Sequence, residues 1–391
     1  LNNHDAHRPS RVGRAAASAA LVLGALAIAA PAFAQDQPID LGAASAQGLG
    51  DVAGENDYPL QITGFAVADY DYDNNTSDNS FQAGKVALAL FRELSDNVWL
   101  FGQLTTALST EEGVTADEEV PTEIEIDNLI VNFTPGGGSP LSLAVGKFDV
   151  PLGWERDDEP LNLQATSSFN FELGRPVKLV GGFGRWAVTP TVDLTVMGGD
   201  GWDAQVDPNH GKTGGARLGF APGEGMSFGI GGLYGPEGDQ GDVHNRWVTT
   251  ADYAIEPAAG WIVAGEANYG GEKDAAIAGG DANWYGATLS VFRRFSQHFG
   301  ATVRGETFKD KDGARTGDEQ TLQSLTFTPV YFIGTGREGI FANVERTTFR
   351  IPRFQIRGEV RYDHSTIDAF ENEDGPTDSQ LRFIMQLVAT F

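Results

Sequence analysis

Cysteine is absent from this chain, which excludes disulfide frameworks, thiolate catalysis and cysteine-ligated metal sites. Basic residues are scarce: 27 Lys and Arg stand against 54 Asp and Glu, a formal net charge of −27. A surface that binds nucleic acid needs clustered cations, so the charge argues against nucleic acid as a partner and none is expected. Histidine is sparse too, and beyond residue 34 only His210, His244, His298 and His364 remain. His364 and Ser365 adjoin Asp363, but strand neighbours point to opposite faces, so the trio forms no local nucleophile–base set. Catalysis is not expected. Asp310-Lys311-Asp312-Gly313 and the run from Asp368 to Asp374 are rich in oxygen ligands but lack the twelve-residue spacing of a calcium loop. Neither a metal site nor a cofactor is expected. Past the N-terminus no apolar run is long enough for a transmembrane helix, and mean hydropathy is −0.24. Strands remain open as a way across a membrane, because a barrel strand alternates lipid-facing with lumen-facing residues and stays modest in hydropathy.

What is present begins with an address. Arg8, Arg11 and Arg14 precede an apolar run, Ala15 to Ala30, that ends in Pro31-Ala32-Phe33-Ala34. This pattern reads as a secretory signal peptide over 1–34, cleaved after Ala34. Residues 35–57, rich in Gly, Ala, Gln and Asp, read as a flexible periplasmic leader. From 58 to 391 strand-like runs alternate with connectors, and fifty glycines suit a chain of many turns. The last thirteen residues are the clearest run. Leu381, Phe383, Met385, Leu387, Ala389 and Phe391 share one face, and Gln380, Arg382, Ile384, Gln386, Val388 and Thr390 the other. A terminal strand ending in Phe391 resembles the closing strand of bacterial outer-membrane barrels, and Phe391 is expected to serve as an assembly signal.

About sixteen runs appear, and their connectors alternate in kind. Short ones (94–97, 135–140, 189–191, 221–225, 256–260, 295–298) take turns with longer acidic ones such as 110–123, 200–211, 271–281 and 366–378. Short periplasmic turns and long external loops must alternate around a transmembrane barrel, whereas a soluble sandwich has no reason to obey that parity. The alternation breaks once, at 334–352, an atypically long segment where a periplasmic turn is due. Within runs, Arg357, Glu359, Arg361 and Asp363 oppose Ile356, Gly358, Val360 and Tyr362. Thr302, Arg304 and Glu306 oppose Ala301, Val303 and Gly305. Arginine is costly against lipid, so Arg185, Arg304, Arg357, Arg361 and Arg382 are expected to line water. The expected fold is all-β: a closed antiparallel transmembrane barrel of about sixteen strands with a water-filled lumen.

Several stretches resemble the OmpL-like family of β-barrel porins. They are Gly146-Lys147-Phe148-Asp149-Val150-Pro151-Leu152-Gly153-Trp154-Glu155, then Gly198-Gly199-Asp200-Gly201-Trp202-Asp203. The third is Arg357-Gly358-Glu359-Val360-Arg361-Tyr362-Asp363-His364-Ser365, followed by Phe370 and the closing strand. The resemblance covers roughly residues 140–220 and 350–391, and it implies an outer-membrane channel. In general porins the third external loop folds inward, and similarity of position suggests the same for 152–182. Glu155, Asp157, Asp158, Glu159 and Glu172 would then form an acidic constriction, opposed by Arg156, Arg175 and the wall arginines. The expected function is passive diffusion of small hydrophilic solutes and ions, weakly favouring cations because few of the external acids, such as Glu111, Asp117, Asp200 and Asp239, are balanced locally. The alternatives are a channel specific for an iron chelate, sugar or carboxylate, and a non-conducting adhesin or structural barrel. Expected partners are outer-membrane lipid and the barrel-insertion machinery, and a homo-oligomer is compatible with the sequence.

Overall fold

The computed structural model describes residues 60–82, 84–108, 122–136, 139–334 and 352–391. The expected signal peptide (1–34), the leader (35–57), Glu111, Asp117 and nearly all of the long connector 334–352 lie outside them. Sixteen antiparallel strands close into one barrel. They are β1 (Gln61–Asp73), β2 in two pieces (Asn79–Gln82 and Lys85–Ser95), β3 (Val98–Leu108), β4 (Thr122–Phe133), β5 (Leu141–Asp149) and β6 (Lys178–Thr189). There follow β7 (Val192–Gly199), β8 (Thr213–Gly223), β9 (Met226–Glu237), β10 (His244–Ile255), β11 (Trp261–Glu272) and β12 (Ala282–Arg294). The last four are β13 (Phe299–Asp310), β14 (Gln320–Ile333), β15 (Phe354–Ser365) and β16 (Ser379–Thr390). A small hairpin, Phe370–Asn372 with Gly375–Thr377, sits in the connector before β16.

Each strand pairs with its neighbour in sequence, and β16 returns to β1 in a register running from Phe65↔Thr390 to Asp73↔Arg382. That seam leaves no edge, so every strand finds a hydrogen-bonded partner on both sides, as a spanning sheet requires. The chain end completes it. Phe391 donates to the Gly64 carbonyl at 2.9 Å and accepts from Gly64 N at 3.0 Å and from Thr63 Oγ1 at 2.7 Å. Gly64 is needed there, since a Cβ on it would meet the Phe391 ring at 2.7 Å and the Ala87 carbonyl still closer.

The two faces separate as the alternation predicts. Leu88, Ile126, Val131, Val145, Val196, Ile230, Leu289, Val303 and Leu325 are exposed on the outside. Their strand neighbours Thr302, Arg304, Thr326, Arg357, Arg361 and Asp363 are buried on the inside. The inner wall differs from expectation in being polar over only part of its circumference. From β2 to β10 the inward residues Ala89, Phe101, Ile130, Ala144, Phe148, Leu179, Met197, Leu233 and Val248 pack with Val150 and Leu152 into an apolar cluster. The reason is that this arc is covered by the chain itself, so its side chains face protein rather than water. A second correction concerns β6, which begins at Lys178 rather than near 183. Gly181 and Gly182 look like loop residues, yet Gly181 lies so close to the β7 backbone that a Cβ would fall 2.0 Å from the Gly198 carbonyl. The connector between β5 and β6 is therefore 150–177.

Candidate functional site: the loop inside the barrel

Residues 150–177 enter the lumen and bind its wall. The turn Glu159–Leu161 and a short helix, α1 (Phe169–Gly174), are their only regular elements. Ser168 caps α1 by accepting from Phe171 N at 3.0 Å, while its hydroxyl donates to Glu155 Oε2. The loop is thus cross-braced before it meets the wall.

The docking is polar on one arc. Glu155 Oε1 accepts from Arg304 Nη1 at 2.7 Å, and the same guanidinium donates to the Thr166 and Ser167 carbonyls at 2.7 and 3.2 Å. Arg357 donates to the carbonyls of Gln164, Asn162 and Glu159 at 2.8, 2.9 and 3.0 Å. Arg361 reaches the Ser167 carbonyl at 2.5 Å and pairs with Asp363 at 2.8 Å. Glu359 accepts from Ala165 N at 2.8 Å and from the Thr166 hydroxyl. Glu266 pairs with Arg175 at 3.1 Å and accepts from Glu155 N. On the other arc the attachment is apolar. Leu152 lies over Gly231 of β9, where a Cβ would come within 2.7 Å of its methyl.

The wall arginines were expected to face the acidic loop across open water. Arg304, Arg357 and Arg361 instead touch the loop and are 0, 1 and 4% exposed. Physically, a guanidinium in a narrow space satisfies its donors best against carbonyls and carboxylates that are already fixed. Arg185 and Arg382 do not join them. Arg185 pairs with Asp193 at 3.5 Å, and Arg382 with Asp71 near the opposite end of the wall. Arg156 donates to the Gly153 carbonyl at 3.1 Å and so stays with its own segment.

The five acids divide in the same way. Glu155 is buried in the docking network. Glu172, on α1, is exposed and makes no ion pair among the described residues. Asp157, Asp158 and Glu159 meet β2, β3 and β6 at a cluster built around two lysines. Lys178 Nζ stands 2.5 Å from Asp149, 2.8 Å from Asp127 and 3.1 Å from Asp157. Lys85 Nζ stands 3.6 Å from Asp157 and 3.7 Å from Glu159. Four carboxylates thus surround two ammonium groups. Burial opposes ionisation of Asp157, but Lys85 and Lys178 outweigh it and hold the carboxyl below its usual range. Asp158 is 2% exposed. Burial, with Asp149 and Asp157 adding to it against the two lysines, pushes its carboxyl up to about 8. Its Oδ1 accepts from Gln103 Nε2 at 2.7 Å, and its Oδ2 is buried without a hydrogen-bond partner among the described residues. Sequence reasoning missed Lys85, Lys178, Gln103 and Asp127. Lys178 was hidden by the late start given to β6, and the others carry no signal short of the tertiary structure.

The family model described as "Putative beta-barrel porin-2, OmpL-like" matches residues 59–391. No curated protein matches the chain in sequence. Among solved structures, the outer-membrane channel DcaP of Acinetobacter baumannii superposes with a TM-score of 0.63 at 10% identity, covering 88% of this chain and 100% of that one. The anion-selective porin from Comamonas acidovorans gives 0.58 at 11% identity, with 86% and 100% covered. The trimer form of OmpT from Vibrio cholerae gives 0.58 at 9% identity, with 86% and 100% covered. At such identities these likenesses speak for the fold alone, a closed antiparallel β-barrel. The family match spans the whole barrel, and the chain belongs to the OmpL-like β-barrel porin family.

Proposed function

We propose that this protein passes small hydrophilic solutes and ions by passive diffusion through the outer membrane, with a weak preference for cations. The observation that carries the reading is which charges still face water. Arg304, Arg357 and Arg361 are buried against the loop; Arg185 and Arg382 keep 37 and 31% of their side chains exposed, each beside an aspartate, and Asp157 and Glu159 keep 30 and 26% beside Lys85. With the acids of the external connectors, Asp157 and Glu159 give the outer mouth a negative field, and a narrow low-dielectric passage focuses it. That field falls off over about 8 Å at physiological salt, so the preference should fade as salt rises. Glu155, Asp158 and Glu172 act more weakly in this scheme, the first through its ion pair, the second through its proton and the third by position.

The test is the reversal potential across a KCl gradient in a planar bilayer. A cation preference at low salt is expected, and the combined variant Asp157→Asn, Asp158→Asn, Glu159→Gln should shift it toward chloride. Anion preference in the unaltered protein would mean that the arginines control permeation after all. Assembly as a homo-oligomer belongs to the same proposal, since a solved neighbour is a trimer form.

A further inference from the structure

The stretch Gly198-Gly199-Asp200-Gly201-Trp202-Asp203 takes no part in docking the loop, but its last residue holds the strand that carries Lys178. The β6–β7 ladder ends at Gly181↔Gly199. Past that point the connector after β7 keeps running along β6. Asp200 N donates to the Val180 carbonyl at 2.9 Å, and Asp203 N donates to the Lys178 carbonyl at 3.3 Å. Asp203 Oδ1 accepts from Lys178 N at 2.7 Å and from Val177 N at 2.8 Å. One residue thus closes three backbone bonds on the head of β6, where β7 has already ended. The connector is itself fixed. Trp202 N donates to Glu237 Oε2 at 2.9 Å, and Glu237, which is buried, also accepts from Thr213 Oγ1 at 2.6 Å. The Trp202 ring meets Trp284 edge-on at 6.0 Å, with the Arg246 and Arg315 guanidiniums 5.2 and 5.1 Å from its centre. Asp203 has a φ of 58°, in the left-handed region that aspartate and asparagine enter more readily than other residues with a side chain.

The backbone of a strand sets the direction in which each side chain leaves it. Lys178 Nζ stands 2.5, 2.8 and 3.1 Å from Asp149, Asp127 and Asp157, and its side chain is only 13% exposed. A lysine stem is flexible and its ammonium is strongly hydrated, so a frayed head of β6 would release it from those carboxylates into water. We propose that Asp203 is a positioning residue for the ion cluster at the outer mouth: its acceptor oxygen fixes the head of β6 and thereby keeps the charge of Lys178 on Asp149, Asp127 and Asp157 and out of the passage. Asp203 acts through the backbone it holds, not through its own charge. The consequence for permeating ions rests on the function proposed above; the placement of Lys178 does not.

Two substitutions separate the acceptor from the charge. Asp203→Gly removes the acceptor and leaves the left-handed backbone unstrained, whereas Asp203→Asn removes the same charge and keeps an acceptor oxygen. The first readout is the rate at which acetic anhydride acetylates Lys178 in the folded barrel, followed by peptide mass spectrometry with Lys212, 61% exposed, as the reference. In the unaltered protein Lys178 should react more slowly than Lys212. In Asp203→Gly it should react roughly tenfold faster than in the parent, because two hydrogen bonds to a charged acceptor are lost. In Asp203→Asn it should stay within roughly threefold of the parent, since a neutral acceptor keeps both bonds in weaker form. The second readout is the reversal potential across a KCl gradient. A released Lys178 brings positive charge into the mouth, so Asp203→Gly should lie further toward chloride than Asp203→Asn. Heat-modifiable mobility on gels establishes folding of each variant. Rapid labelling of Lys178 in the unaltered barrel would overturn the proposal without any variant having to fold. So would unchanged labelling in Asp203→Gly, labelling of Asp203→Asn as fast as that of Asp203→Gly, or equal reversal potentials in the two variants. Anion preference in the unaltered protein would sink the proposed function alone, because the labelling does not depend on which ion the channel favours.

Discussion

At the scale of single residues, Arg304 shows what the lumen arginines do. Its guanidinium is fully buried, bonded to Glu155 and two loop carbonyls, with Glu306 at 3.7 Å. Arg304→Met would leave two buried carboxylates short of their counter-charge, a loss of about 3–5 kcal/mol for a broken buried pair. The loop should then detach along residues 155–168. Larger and noisier single-channel currents are expected, with a lower midpoint for loss of heat-modifiable mobility. The pair Arg304→Met with Glu155→Met should recover part of the stability, because matched apolar replacements remove the stranded charge. Currents like those of the unaltered protein in Arg304→Met would show that the pair does not hold the loop. Asp158 adds a dependence on pH. Its carboxyl, pushed up to about 8 by burial, is neutral below that pH and charged above it. Cation preference should therefore strengthen as pH rises from 7 to 9, and the rise should vanish in Asp158→Asn. A slope unchanged by that substitution would assign the effect to another group.

At the scale of elements, strands and loop were not equally legible. The alternation in β13, β15 and β16 could be read from the residues because a strand's period of two is a local property. Where the loop binds was not legible, since its partners come from distant strands: Ala165 and Glu359 are 194 residues apart, and Gln164 and Ser290 are 126 apart. The apolar anchor was hidden for another reason. Gly231 reads as one glycine in a glycine-rich strand, yet its bare backbone makes the space that Leu152 fills. Gly231→Ala would bring a methyl within 2.6 Å of the Ala216 carbonyl and 2.7 Å of Leu152. Overpacking of this kind costs about 1–3 kcal/mol. The expected result is a folded barrel with a lower melting midpoint and altered conductance, which gel mobility and bilayer recordings would detect. An alanine variant matching the parent in both would mean that Leu152 relaxes freely.

At the scale of the whole molecule, the barrel closes where β16 pairs with β1, and Phe391 extends that seam by one residue. Phe391 extends the β1–β16 ladder to Gly64 and accepts from Thr63. Deleting it removes these bonds from the seam that joins β16 to β1, and also the aromatic ring proposed as an assembly signal. The heat-modifiable form recovered from outer membranes should fall several-fold on deletion and less on Phe391→Tyr, which keeps both backbone and ring. Undiminished assembly of the deleted chain would show that the seam forms without it.

The sequence by itself determined that this chain is a barrel of about sixteen strands, which end carries the turns, and which residues of a strand face inward. These follow from a two-residue period, from the parity of connector lengths and from the lack of any helix-length apolar run. The tertiary structure alone decided which inward charges still meet water. Arg304 and Arg357 look no different in sequence from arginines lining an open pore, but closure brings residues 150–177 against them, and fixed carbonyls and carboxylates take up their donors. Asp157 and Glu159 pair with Lys85, and Asp157 also with Lys178, and these contacts leave 30 and 26% of the two side chains exposed.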